Sequence, residues 1–158
     1  MSALRSTSGR AFLFPTSFSA SATTSGSSRD LHAYLDSSAI LKLVHVERES
    51  DALEARVSSA SARASSELAR VEVMRRARRY GAAAEAKASR ALSAMTLRSI
   101  DEDVIAAATT LRPDTLRSLD AIHLATALSL DGLDVFISYD QRLNEAAAAA
   151  GLNVESPA

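Results

Sequence analysis

Short apolar runs alternate with longer stretches of helical periodicity along residues 31–158. The first run, residues 31–36, alternates apolar and polar side chains as a strand does, ends on Asp36 and is followed at once by a helical stretch. Repetition of this order is the pattern of β-α units on a mostly parallel sheet, so we predict an α/β fold. The predicted strands are 31–36, 62–64, 96–100, 135–138 and 153–155, and the predicted helices are 38–46, 49–58, 66–79, 82–95, 102–111, 118–130 and 141–150.

Side chains with short hydroxyl or carboxyl groups precede several of the predicted helices. Ser37 or Ser38 is placed to cap the first helix, and Ser65 or Ser66 is placed to cap the third. Asp101 is placed to cap the helix over 102–111. Such side chains accept hydrogen bonds from the free N–H groups of a first helical turn, so they support the predicted helix starts.

The composition is typical of one soluble globular domain. The chain has 158 residues, of which 47% are hydrophobic and 23% are charged. It has no cysteine, which excludes a disulfide framework and a thiolate zinc site and fits a reducing cytoplasm. No apolar run approaches the length of about 18 residues that spans a bilayer, so we expect no membrane segment. The net charge of -1 gives no global basis for nucleic-acid binding, which would therefore depend on local basic patches.

Residues 1–30 differ in composition from the rest of the chain. They contain nine serines, four threonines and no acidic residue before Asp30, and we predict that they are disordered. The segment resembles a signal peptide only weakly, because its apolar stretch 11–14 is short and is followed by Pro15. We favour a start of the folded domain near Leu31, with the preceding residues being a tail or a misassigned start.

Four carboxylates lie at positions that the predicted fold would bring to one edge of the sheet. Asp36 ends the first strand, and Asp140 follows the strand over 135–138. Glu72 lies in the helix after the second strand, and Asp120 lies in the first turn of a later helix. Ligands of open α/β sheets bind outside the carboxyl ends of the strands. Since an ionised group out of water is costly unless it is paired or binds a metal, these acids are candidate metal ligands.

Two of these acids, Asp120 and Glu72, also have a simpler interpretation, which stays open at this point. Asp120 in a first helical turn is favoured by the helix dipole alone. Glu72, like Asp120, is flanked by apolar residues, and such an acid can pair with arginine. For Asp101, Glu102 and Asp103 we prefer the simpler interpretation, a solvated helix start.

Four segments, in this order, resemble the successive motifs of PIN-domain ribonucleases, specifically VapC-type toxins. They are YLDSSA at 34–39, Ser65-Ser66 ahead of RVEV at 70–73, LRSLDAIHLATA at 116–127 and FISYDQRL at 136–143. The resemblance extends from residue 31 to about 157 and implies a three-layer α/β/α PIN-like domain with a mostly parallel central sheet over 31–158. Ser138 stands where many members have threonine, which keeps the hydroxyl.

The resemblance also implies an activity and a set of partners. It implies an endoribonuclease that depends on Mg²⁺ or Mn²⁺ and cleaves RNA phosphodiester bonds. It further implies a homodimer and inhibition by a cognate VapB-type antitoxin. Such antitoxins often insert an arginine-bearing peptide into the acidic pocket, where the excess of negative charge suits that side chain.

The chemistry of phosphodiester hydrolysis explains why these residue types would be needed. It requires an activated water and relief of charge on the leaving oxygen, and magnesium bound by a few carboxylates and water supplies both. We predict Asp36 and Asp140 as direct ligands, with Glu72 and Asp120 binding a second ion or orienting water. Crowded acids also raise the pKa of some members when no cation is present. Ser138 is predicted to hold a ligand or a water, with local bonding at a strand end as the alternative.

Arginines near two of the acids supply the local basic charge that RNA binding needs. Arg75, Arg76 and Arg79 follow Glu72 at spacings that place them on its face of the helix or at the edge of that face. Arg117 precedes the next acid and is also placed to meet a phosphate. The alternative is an ordinary solvated face with a Glu72–Arg76 salt pair, and an ordinary surface arginine at position 117.

The role of His123 and two alternative functions remain to be considered from the sequence. His123 is more simply a packed histidine than a general base, because a metal-activated water needs no protein base. A haloacid-dehalogenase phosphatase would need a second aspartate where this chain has Ser38. The remaining alternative is a catalytically inactive PIN-like interaction module that binds a partner protein or RNA, and the presence of all four acids argues against it. No motif selects transfer, ribosomal or messenger RNA, since such selection depends on surface shape and unpaired loops.

Overall fold

A computed structural model describes residues 30–158, so the prediction for residues 1–30 lies outside the described residues apart from Asp30. The described chain contains five strands, seven α-helices and one short 3₁₀ helix. Among these helices, none is long and apolar enough to cross a membrane. The elements in chain order are β1 (His32–Leu35), α1 (Ser37–Val44), α2 (Ser50–Ser58), β2 (Ala62–Ser66), α3 (Glu67–Ala77), the 3₁₀ helix (Arg78–Tyr80), α4 (Ala82–Ser93), β3 (Thr96–Arg98), α5 (Glu102–Thr110), α6 (Ser118–Leu128), β4 (Val135–Ile137), α7 (Gln141–Ala149) and β5 (Val154–Glu155).

The described strands form one sheet in the order β3-β2-β1-β4-β5, and all neighbouring strands are parallel. In the centre of the sheet, Ala33 of β1 is aligned with Arg63 of β2 and with Val135 of β4. The predicted α/β class with a mostly parallel sheet is therefore confirmed. Because β1 is the central strand, the residue that follows it, Asp36, lies at the middle of the carboxyl edge.

Helices cover both faces of the sheet and give three α/β/α layers. Successive residues of β1 point to opposite faces, and both faces are buried. On one face, Leu35 packs in a cluster with Ile40 and with apolar residues of α2, α3 and α4. On the other face, the rings of Tyr34 and Phe136 stack with their centroids 5.2 Å apart and pack with Leu124 of α6 and with α7. The three-layer architecture that the family resemblance implied is confirmed.

The third helix is shorter than predicted. Helix α3 ends at Ala77 and tightens into the 3₁₀ helix Arg78–Tyr80, so Arg79 lies beyond the α-helix. The chain then turns at Gly81, which has φ of 89°. This positive φ is accessible to glycine at little cost, and the tightened last turn leads the chain into it.

The cap of α1 also differs from the prediction. Asp36, and neither Ser37 nor Ser38, is the N-cap: its side chain accepts a hydrogen bond from the N–H of Ala39. The reason is that α1 begins one residue earlier than predicted, at Ser37, which places the strand-ending acid in the capping position. The predicted caps of α3 and α5 are confirmed as Ser66 and Asp101.

Candidate active site

The four predicted acids lie at the carboxyl edge of the sheet or in helices near it. Asp36 follows β1 and Asp140 follows β4, and these two strands are neighbours. The N–H of Asp36 donates to the carbonyl of Ile137 at 3.1 Å, which extends the strand pairing up to the first acid. Glu72 lies in the second turn of α3, the helix that leaves β2, and Asp120 lies in the first turn of α6.

The side chain of Asp36 is held by three donors. Asp36 is buried, with 4% of its surface exposed. Its Oδ1 accepts from the N–H of Ala39 at 2.9 Å and from the hydroxyl of Ser38 at 2.7 Å, and its Oδ2 accepts from the hydroxyl of Ser138 at 3.1 Å. Burial raises the pKa of Asp36, and these hydrogen bonds together with His123 oppose that rise without cancelling it. Both carboxylate oxygens of Asp36 are thus already engaged.

Ser138 connects the two acids that follow neighbouring strands. It is fully buried. Its hydroxyl donates to Oδ2 of Asp36 and accepts from the N–H of Asp140, with both distances 3.1 Å. Asp140 in turn caps α7, because its Oδ1 accepts from the N–H groups of Arg142 and Leu143 at 2.9 and 3.1 Å. One hydroxyl therefore sets how the two acids lie relative to each other.

We expect Ser138→Ala to lower the free energy of unfolding by about 1–3 kcal/mol. The change leaves a buried carboxylate oxygen and a backbone N–H without their shared partner. Ser138→Thr keeps the hydroxyl and is the matched control, with a smaller loss expected. Urea unfolding of both variants measures the difference. Equal losses would show that the volume of the side chain matters at this position and its hydroxyl does not.

Glu72 is held by a connected set of hydrogen bonds. Its Oε2 accepts from the hydroxyl of Ser37 at 2.5 Å and lies 2.8 Å from Nε2 of His123. The other ring nitrogen, Nδ1, lies 2.7 Å from the hydroxyl of Tyr34. Burial raises the pKa of Glu72, but the hydrogen bonds from His123 and Ser37 outweigh it and hold the pKa below its ordinary value. Glu72 thus pairs with His123 and not with Arg76, the alternative considered from the sequence.

Asp120 differs from the other acids because one of its oxygens is buried without a hydrogen-bond partner. Its Oδ2 is buried and, within residues 30–158, forms no hydrogen bond. Burial raises the pKa of Asp120, Asp140 and Glu72 raise it further, and Arg117 and His123 oppose the rise. A buried carboxylate oxygen without a partner is costly. This atom is the one that a cation would satisfy.

The acids do not form a closed metal cage by themselves. In the part of the chain that the structure describes, no three Asp, Glu or His side chains are grouped closely enough to hold a metal ion. Magnesium, however, is usually bound through one or two carboxylates and keeps several waters. The unpaired oxygen of Asp120 and its acidic neighbour Asp140 fit that kind of open site better than a dedicated cage.

The sequence of the described domain matches a known family and named relatives. Residues 33–149 match the PIN domain. The chain belongs to the PIN-domain family. It is 46% identical over 126 residues to ribonuclease VapC46 of Mycobacterium tuberculosis, covering 78% of this chain and 96% of that protein. It is 38% identical over 130 residues to ribonuclease VapC47 of the same species, with the same coverages. These relatives identify it as a VapC-type PIN domain and confirm the resemblance drawn from the four motifs.

Solved structures with a similar fold also come from toxin–antitoxin pairs. A toxin-antitoxin complex from Klebsiella pneumoniae has a TM-score of 0.60 at 25% identity, covering 80% of this chain and 98% of that chain. VapBC2 from Rickettsia felis, bound to a DNA fragment from the promoter of the pair, has a TM-score of 0.63 at 9% identity, covering 81% of this chain and 100% of that chain. The second likeness concerns the fold alone.

The predicted RNA-binding arginines lie on the surface of this PIN domain. Arg75 and Arg76 are exposed at the end of α3, Arg79 is exposed in the 3₁₀ helix, and Arg117 is the exposed N-cap residue of α6. Arg76 lines a surface cavity of about 360 Å³ together with Ser38, whose hydroxyl binds Asp36. Arg76 therefore lies beside a serine that bonds Asp36, and Arg117 lies close enough to Asp120 to oppose the rise in its pKa.

Sequence reasoning missed how several neutral side chains hold the acids of the PIN domain. The sequence predicts Ser37 and Ser38 only as helix caps, whereas in the structure they donate hydrogen bonds to Glu72 and Asp36. His123 was interpreted as a packed histidine; it is buried, with 2% of its surface exposed, but it also binds Glu72. Two signals were present in the sequence. A serine directly follows a strand-ending acid, and a histidine lies one helical turn after another acid.

Proposed function

We propose that this VapC-type PIN domain is a divalent-metal-dependent endoribonuclease that cleaves RNA phosphodiester bonds. The proposal depends on one observation above all: the buried, unpaired Oδ2 of Asp120, whose carboxyl is under the negative charge of Asp140 and Glu72. An acidic pocket with an unsatisfied oxygen suits a cation. The ribonuclease names of VapC46 and VapC47 support RNA as the substrate class.

A bound Mg²⁺ or Mn²⁺ supplies a water that is activated near neutral pH and relieves charge on the leaving oxygen. Asp120 and its acidic neighbour Asp140 are the residues that would hold such an ion, and Asp36, which is bonded to the same Ser138 hydroxyl as Asp140, would add negative charge beside them. Both oxygens of Asp36 already accept hydrogen bonds, whereas Oδ2 of Asp120 accepts none. We therefore propose Asp120 as the principal ligand, which changes the division of roles expected from the sequence. Glu72, bound through Oε2, has Oε1 left to orient a water.

The proposed RNA path runs past Arg76, with Arg75, Arg79 and Arg117 as further phosphate contacts. Arginine binds phosphate through a planar fork of N–H donors, and its charge attracts the RNA backbone over a distance. The cavity that Arg76 shares with Ser38 reaches a residue bonded to Asp36, so a phosphate held there would lie beside the acids.

We expect Arg76→Ala to lower kcat/KM for RNA cleavage by about 10- to 150-fold, the equivalent of one lost charged hydrogen bond of about 1.5–3 kcal/mol. Most of the change should be in KM, and it should shrink as salt is added, because the contact is electrostatic. Arg90→Ala is the matched control, since Arg90 is an exposed arginine of the neighbouring helix α4 and does not line the cavity. Equal effects of the two variants would argue against a phosphate contact at Arg76.

A VapB-type antitoxin is the proposed inhibitor of this nuclease. The similar structure from Klebsiella pneumoniae is a toxin-antitoxin complex, which supports a partner of that type. An arginine of the antitoxin is a suitable group for the acidic pocket, because its fork can bind a carboxylate and offset the charge on Asp120. A homodimer of the chain is also part of the proposal. No observation favours the alternative of an inactive interaction module.

Cleavage of a total-RNA pool by the purified, antitoxin-free chain tests the proposed function. With Mg²⁺ or Mn²⁺ we expect cuts at a few discrete sites, and with EDTA we expect none. The cut sites would identify the RNA. Failure of the folded protein to cut RNA in either metal would refute the nuclease and favour the interaction module.

A further inference from the structure

Side chains from three elements surround His123 and Glu72 and form hydrogen bonds with them. Tyr34 lies on the central strand β1, His123 lies on α6, and Ser37 begins α1. The hydroxyl of Tyr34 is 2.7 Å from Nδ1 of His123, and Nε2 of the same ring is 2.8 Å from Oε2 of Glu72 and 3.1 Å from the hydroxyl of Ser37. The proposed nuclease chemistry uses neither Tyr34 nor His123.

The hydrogen-bond partners of the His123 ring determine which of its two nitrogens carries the hydrogen. In a neutral imidazole one nitrogen donates and the other accepts. An ionised Glu72 can only accept, so Nε2 of His123 donates to it. The other nitrogen, Nδ1, then accepts from Tyr34, which is fully buried. In this series of hydrogen bonds from Tyr34 through His123 to Glu72, every donor meets an acceptor, so the orientation of the ring is defined.

The hydrogen bonds of Glu72 all converge on one of its oxygens. Oε2 accepts both from Ser37 and from His123, which leaves Oε1 for a water or a ligand. A carboxylate bound through one oxygen by two donors cannot turn freely about its last bond. The ring of His123 cannot turn either, because Tyr34 holds its far side and meets it edge-on, with ring planes at 78°.

We propose that His123 is a positioning residue of the nuclease: held by Tyr34, it fixes the carboxylate of Glu72 so that Oε1 alone is presented to the reacting water or its ion. This inference deepens the proposed function and rests on it. A histidine that was only packed would need hydrogen-bond partners, but it would not need an acid of the site as one of them. The side chains that orient such acids commonly change activity or metal affinity by about 10- to 100-fold when replaced.

Two substitutions of His123 separate positioning from packing. Gln has an amide N–H that can reach the position of Nε2 and bind Glu72, whereas the shorter Asn keeps a polar group only near Tyr34. For cleavage of an RNA identified from the pool, we expect His123→Asn to lower kcat by about 10- to 100-fold with KM little changed, and His123→Gln to retain most of kcat. His32→Gln, at the opposite end of β1, is the matched histidine control and should match the wild type.

Nitrogen NMR of the histidine ring gives a readout that does not depend on cleavage. The wild-type protein should show His123 with its hydrogen on Nε2. In Tyr34→Phe, which keeps the aromatic ring and removes the hydroxyl, the hydrogen should stay on Nε2, because Glu72 still needs a donor there, and the resonance of Nδ1 should shift as its hydrogen bond is lost. A wild-type ring with its hydrogen on Nδ1 would overturn the assignment and the proposal with it, even if a variant of His123 failed to fold.

The outcomes distinguish this inference from the proposed function. Wild-type protein that cuts RNA, with His123→Asn and His123→Gln equal to it in kcat per folded molecule, would refute positioning and leave the nuclease intact. Equal losses in both variants would also refute positioning, because they would show a requirement for the histidine volume. Wild-type protein that cuts no RNA would refute the nuclease itself and the catalytic role of His123 with it.

Discussion

Asp36→Asn is expected to lower RNA cleavage by about 100- to 1000-fold while the protein keeps its fold. The charge that a metal site contributes is worth several kcal/mol in a transition state, and each 1.36 kcal/mol is about tenfold in rate. Asn caps a helix about as well as Asp, so its amide oxygen can still accept from Ala39 and Ser38. The substitution therefore removes the charge of Asp36 and keeps the helix cap, with an amide nitrogen in place of Oδ2 that can donate to the Ser138 hydroxyl.

Asp101→Asn is the matched control for this experiment. Asp101 caps α5 as Asp36 caps α1, and in both cases the side chain accepts from the N–H three residues later. Asp101 does not take part in the candidate site, so its variant should cleave RNA at the wild-type rate. Initial cleavage rates and urea unfolding of both variants complete the comparison. Comparable activity of wild type and Asp36→Asn would exclude Asp36 from the chemistry.

The order and type of the elements could be predicted from the sequence because each depends on local patterns. Apolar runs bounded by polar residues gave all five strands, and helical periodicity gave all seven α-helices within a few residues. The ends were less certain, because they depend on the competition between neighbouring groups. Asp36 caps α1 in place of the predicted serines. Helix α3 tightens into a 3₁₀ helix ahead of Gly81, which has a positive φ, so Arg79 lies beyond α3.

The placement of the four acids at or near one edge of the sheet could be predicted, but the hydrogen bonds of each acid could not. Parallel strands bring their carboxyl ends to one edge, which is why positions 36 and 140 were recognisable from spacing and order. The hydrogen bonds that decide which oxygen stays free depend on side chains from other elements. Ser138 engages Asp36, and His123 engages Glu72, while Oδ2 of Asp120 receives no donor. No local pattern in the sequence contains that information.

Serine hydroxyls explain how two of the acids can be partly or fully buried without a metal. Ser38 and Ser138 donate to Asp36, and Ser37 donates to Glu72. A charged acceptor makes such bonds stronger than neutral ones. Oδ2 of Asp120 accepts no such hydrogen bond, so nothing comparable offsets the burial of its negative charge. Asp120 thus has a buried oxygen without a donor, whereas each of the other three acids accepts at least two hydrogen bonds, which is the asymmetry expected of a site that takes up a cation.

Asp120→Asn is expected to lower cleavage by about 100-fold or more and, in the absence of metal, to stabilise the protein at neutral pH. Burial and the nearby acids raise the folded-state pKa of Asp120 above its ordinary value of 3.8. Between these two values the native state binds more protons than the unfolded state, so wild-type stability falls as pH rises through that window. The amide of Asn remains neutral throughout, so the variant does not lose stability in this way as pH rises.

Urea unfolding of metal-free wild type and Asp120→Asn, near pH 7 and again near pH 4, measures how the difference in their unfolding free energies changes with pH. The advantage of Asp120→Asn should be largest near neutral pH and should shrink as pH falls through the raised pKa. Asp103→Asn, which changes an exposed acid in the first turn of α5, is the matched control for the substitution itself. Added Mn²⁺ should then reverse the order, since a metal at about 100 times its Kd stabilises the wild type by about 2.7 kcal/mol and the variant by much less. A variant that gains as much from Mn²⁺ as the wild type would remove Asp120 from the metal site.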